Sequence, residues 1–80
     1  HHTVDCIEEV KGIVRTISLD DQRGTVKAGG LVNKSYHDDA YMQCLKDGVT
    51  KETGGLYEFV ITEDRRYWYY TVQKRKSVLI

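Results

Sequence analysis

"TVDCIEEVKGIVRTISL", residues 3–19, decides the architecture, because its hydrophobic period sets what the remaining segments have to pack against. In residues 3–10, Val4, Cys6 and Val10 share one face and Asp5 and Glu9 the other, with Ile7 out of step. In residues 13–19, Ile13, Ile17 and Leu19, with Arg15 among them, lie opposite Val14, Thr16 and Ser18. Alternation in runs this rich in β-branched residues predicts two strands, the second with a half-solvated face. "DDQRG", residues 20–24, follows with turn chemistry and a glycine where a positive φ is needed. "TVKA" from Thr25 is then the return strand, which makes residues 14–28 a hairpin.

Outward from this stretch, Gly29 and Gly30 break or bulge the strand, and "LVNKSYH" continues the sheet after a bend. "DDAYMQCLKDG", residues 38–48, is ambiguous. Tyr41, Cys44 and Leu45 sit at helical spacing behind an Asp38 or Asp39 cap, yet the run is too short for an independent helix, so a single turn and a short strand both fit. Residues 47–55 read as a polar loop. "GLYEFVITE", residues 55–63, is the clearest strand, with Tyr57, Phe59 and Ile61 on its core face. "DRR" turns the chain and "YWYYTVQK", residues 67–74, closes the final hairpin. Its aromatic run splits by strand parity: Trp68, Tyr70 and Val72 on one face, and Tyr67, Tyr69, Thr71 and Gln73 on the other. Packing within the sheet is the expected use of both sets.

Eighty residues make one domain, here residues 3–80, with His1 and His2 set aside as the remnant of a purification tag. So small a core calls for a staple, and Cys6 and Cys44 are the candidates. Their bridge would close a loop worth roughly 4 kcal/mol of unfolded-state entropy and would imply an oxidising compartment, hence secretion. Two buried free thiols would look the same in sequence. No apolar run approaches the roughly 20 residues of a membrane span. Twelve basic residues balance twelve acidic ones, whereas nucleic-acid modules usually carry a basic excess, so that class is disfavoured.

No catalytic constellation is visible. Glu8–Glu9, Asp20–Asp21 and Asp38–Asp39 are sequence neighbours that on strands point apart, which suits turns and caps rather than proton transfer. His37 has no ligand-spaced cysteine or histidine, so neither metal nor cofactor is expected. A nucleophile pair of Cys44 with His37 is formally available only while Cys44 is unbridged. "AGG" and "TGG" lack the context of phosphate loops.

Size, a first cysteine in "VDCIEEV", a second about forty residues later in "YMQCLKD", and short strands separated by turns together resemble the MAX effectors, the avirulence and ToxB-like secreted effectors of plant-pathogenic ascomycete fungi. The resemblance implies an all-β fold, a six-stranded antiparallel β-sandwich of two three-stranded sheets, with Cys6 and Cys44 tying strand one to the region of strand five. It implies a monomer, secreted and translocated into host cells, that binds a host plant protein without catalysis. A heavy-metal-associated domain or an immune receptor is the partner it suggests. An exposed strand edge would do the binding, and Arg15, Arg23 and Lys27 on the residue 14–28 hairpin are the candidate rim charges. The competing expectation is a small β-barrel that binds single-stranded nucleic acid through Arg65, Arg66, Tyr67, Tyr69, Lys74, Arg75 and Lys76, since cations flank aromatics there.

Overall fold

Cys6, Val10, Ile13 and Ile17 are spaced as one stripe of an α-helix, and all four are buried. In a computed structural model, which describes residues 2–24 and 28–75, they belong to one helix, α1 (His2–Gln22). Two expected strands are therefore a single helix. The strand reading rested on alternation at Val4 and Cys6, but Val4 and Ile7 are exposed. The fourfold burial at helical spacing outweighs the modest strand preference of β-branched residues.

The chain continues through β1 (Gly29–Asn33), α2 (Asp39–Glu52), β2 (Tyr57–Glu63) and β3 (Tyr67–Lys74). The ambiguous segment is helical because Asp38 caps it, accepting a hydrogen bond from the Tyr41 N–H at 3.0 Å. The helix also runs through residues read as a polar loop, burying Tyr41, Met42, Leu45 and Val49. Gly48 does not interrupt it. A β-carbon there would stand 2.7 Å from Val10 Cγ2, so the glycine is what lets α1 and α2 approach. Gly54 and Gly55, with φ of +63° and +76°, turn the chain out of the helix.

The strands form one antiparallel sheet in the order β1-β3-β2. Helices and a single three-stranded sheet replace the expected all-β, six-stranded sandwich, and the fold implied by the effector resemblance is not present. The final hairpin is as the alternation predicts. Tyr57, Phe59, Trp68, Tyr70 and Val72 are buried toward the helices, with Val32 beside them. Gly30 is a site of close approach rather than a break, because the Tyr70 ring lies over it, within 2.6 Å of where a β-carbon would be. The core is shared between helices and sheet, and Cys6–Cys44 joins α1 to α2 with a Cα separation of 6.4 Å.

Candidate functional site

With α1 and α2 on one side, the sheet's other face carries the alternate residues of each strand. Tyr69 is its centre, flanked across the ladder by Leu31 on β1 and Thr62 on β2. Leu31 is 57% exposed and Tyr69 40%. Tyr67 lies one pleat along the same strand, its ring 6.3 Å from that of Tyr69 and tilted by 48°. Tyr67 is half-buried and Tyr69 exposed.

The hairpin tip at the end of this face is held by one carboxylate. Asp64 Oδ1 accepts the backbone N–H groups of Arg66 and Tyr67, each at 2.8 Å, and Oδ2 accepts the Tyr69 hydroxyl at 2.7 Å. The Tyr69 bond and the two backbone bonds hold the Asp64 carboxyl below its ordinary range, and the same bond pushes the Tyr69 phenol up. The bond to Asp64 thereby restrains the orientation of the Tyr69 ring. Glu63 accepts from Lys34 at 2.7 Å, which lowers its pKa, while Lys34 also donates to the Asp64 carbonyl and sits 5.2 Å from the Trp68 ring centre. The nearby acids are thus engaged locally. Arg65 and Arg66 form no ion pair among the described residues.

Charge is segregated between the two layers. The α1 and α2 segments, residues 1–24 and 38–53, contain nine of the twelve acidic residues and five of the twelve basic ones. The described remainder, residues 28–37 and 54–75, contains five basic residues and three acidic ones. Among the described residues the helical layer therefore carries a formal charge of −4 and the sheet layer one of +2.

The expected edge hairpin does not exist. Arg15 lies exposed on α1 and Arg23 in the turn beyond it, while Lys27 lies outside the described residues. Residues 14–22 are helical because Ile17 must reach the core, so the hairpin's first strand is absent, and its return segment, residues 25–27, lies outside the described residues. Of the aromatic and basic set, Arg65, Arg66, Tyr67 and Tyr69 come together at one end of the open face. Lys74 has core-side parity and pairs with Asp21 of α1 at 3.5 Å. Arg75 is exposed just past the end of β3, and Lys76 lies outside the described residues. Sequence reasoning missed Asn33, Lys34 and Ser35, which the β1–β3 pairing brings to the hairpin tip, with the Lys34 N–H donating to the Arg66 carbonyl at 2.9 Å.

No family model, curated protein or solved structure matches this chain. Its own geometry is what remains to read. The Cys44 sulfur is committed to the disulfide, so it is no thiolate nucleophile, and the His37 ring is stacked on Tyr41 with centroids 3.8 Å apart. Among the described residues no cluster of three or more histidine, cysteine or acidic side chains could hold a metal, and no helix is long and apolar enough to cross a membrane.

Proposed function

We propose that this chain is a non-catalytic binding domain and that the open sheet face takes single-stranded nucleic acid. The observation that carries the reading is the pairing of two tyrosine rings on the outer face of the central strand with two arginines at its end that form no ion pair among the described residues. Bases stack on aromatic rings whatever their identity, and cations beside the rings neutralise the backbone. The overall neutrality that argues against such a ligand loses its weight once the acids are found gathered on the helical layer.

Fluorescence anisotropy with a labelled oligothymidylate of about ten nucleotides tests it. Binding should weaken steeply as salt rises, because each phosphate contact releases counterions. Tyr69→Ala should lose about tenfold or more, a stacking contribution of about 1–3 kcal/mol, whereas Tyr69→Phe, which keeps the ring, should retain most of the affinity. Absence of binding at low salt refutes the reading.

The disulfide supports a second reading, a secreted module of effector type that engages a host plant protein by strand addition. The edges are then β1 and β2 rather than the residue 14–28 segment. Titrating a plant heavy-metal-associated domain into isotopically labelled chain would shift edge amides of β1 or β2 on that reading, and an unchanged spectrum would count against it.

A further inference from the structure

At the tip of the open face, Asn33, Lys34 and Ser35 stand across from Arg65, Arg66 and Tyr67 and border a half-open recess of about 400 Å³. Half of its lining residues are cationic and none is acidic. The volume falls within the range of small-ligand sites. The Asn33 Oδ1 already accepts the Ser35 N–H at 2.8 Å, which leaves the amide's NH₂ as its donor group. The Ser35 hydroxyl and the two guanidinium groups add further donors. The wall is not loosely assembled, since the Lys34 N–H to Arg66 carbonyl bond ties its two halves together. Lys34 has its charge committed to Glu63. Two positive charges without an ion pair among the described residues remain, those of Arg65 and Arg66.

The geometry points to this recess as a phosphate-binding subsite for the terminal phosphomonoester of a nucleic-acid strand, with the adjoining base stacked on Tyr67. Two guanidinium groups match a monoester, which carries close to two negative charges at neutral pH, better than an internal diester, which carries one. Arginine also presents a fork that fits phosphate oxygens two at a time. The inference rests on the nucleic-acid reading for its stacked base, and on the recess alone for its phosphate.

The test compares three oligothymidylates of one length, carrying a 5′-phosphate, a 3′-phosphate or hydroxyls at both ends, by anisotropy competition against the wild-type chain and an Arg65→Ala/Arg66→Ala variant. One of the phosphorylated strands should bind about tenfold tighter than the hydroxyl-ended strand, as expected of charge-assisted hydrogen bonds. That preference should vanish in the variant, whose fold is checked by its thermal midpoint. Equal binding of all three strands overturns the subsite while leaving the nucleic-acid face intact, and so does a preference that survives in the variant. If no oligonucleotide binds, the wider reading falls. Thymidine monophosphate titrated against thymidine then decides the recess: shifts of the Arg65, Arg66 and Ser35 amides with the phosphate alone sustain it, and silent amides overturn it.

Discussion

Reducing the Cys6–Cys44 bond tests the helix pairing on which the two-layer fold depends. The half-cystines are 38 residues apart, and in the chain-entropy account a loop of that length restricts the unfolded ensemble by about 13 cal/mol/K, or roughly 4 kcal/mol at 25 °C. Stabilities of about 0.05–0.15 kcal/mol per residue put a chain of this size at roughly 4–12 kcal/mol, so the bridge accounts for a third or more of the total. At about 4–8 °C per kcal/mol for domains of 60–100 residues, reduction should lower the melting midpoint by roughly 16–30 °C. Reduction is the cleaner perturbation, since both sulfur atoms stay in place and Cys6, only 1% exposed, leaves no cavity. Circular dichroism reports the helices, and Trp68, buried beneath them on β3, reports the sheet. Both signals should move together to the lower midpoint. If oxidised and reduced chains melted within about 2 °C of each other, the entropic reasoning would be refuted, and with it the idea that so small a core needs the staple.

Two glycines make opposite predictions for one substitution. Gly12→Ala on α1, where an added β-carbon meets nothing within 4 Å, should raise stability by up to about 1 kcal/mol through helix propensity. Gly48→Ala should lower it by roughly 1 kcal/mol, because overpacking against the stiff, buried Val10 costs about 1–3 kcal/mol and outweighs the same propensity gain; a higher denaturation midpoint would show that the helices are not in close contact there. High pH probes the contact between helix and sheet at Tyr70. Burial, and then the Glu9 carboxylate that accepts its hydroxyl at 3.3 Å, raise the Tyr70 phenol far above its ordinary value. An unfolded tyrosine loses its proton near about pH 10. Above that pH the unfolded chain binds fewer protons than the folded one, so stability is intact below it and falls as pH rises further. Thermal midpoints between pH 9 and 12 should fall more steeply for the wild type than for Tyr70→Phe, and parallel slopes would contradict the assignment.

The final hairpin was readable because its two runs are rich in aromatic and β-branched residues and have turn residues between them. Parity alone separated Trp68, Tyr70 and Val72 from Tyr67 and Tyr69. Residues 3–19 were not readable in the same way, since an alternating reading of Val4, Cys6 and Val10 competes with a helical one of Cys6, Val10, Ile13 and Ile17. Ile7, out of step in the strand, was the local sign that the period was wrong. The choice is made by tertiary burial, which sequence displays only indirectly. Gly48 misled for a related reason. It lies in the stretch 47–55 that reads as a polar loop, but this glycine is required by the neighbouring helix, and only the fold supplies that neighbour.

The candidate face was half legible. Arg65, Arg66, Tyr67 and Tyr69 lie within five residues of one another, so local order already grouped them. Asn33, Lys34 and Ser35 are about thirty residues upstream and join them only because β1 pairs with β3 rather than with a preceding hairpin strand. Lys74 shows the converse: adjacency to the aromatic run suggested a shared surface, yet strand parity sends it to Asp21 on the helical layer. Net charge says little about any one face, because it averages over layers on opposite sides of the core. Two surfaces of opposite sign cancel in the sum, but exposed charges more than a Debye length apart, about 8 Å at physiological salt, are largely screened from one another. A ligand at the sheet face responds chiefly to the nearer set, in which Asp64 and Glu63 are already engaged and Arg65 and Arg66 form no ion pair among the described residues.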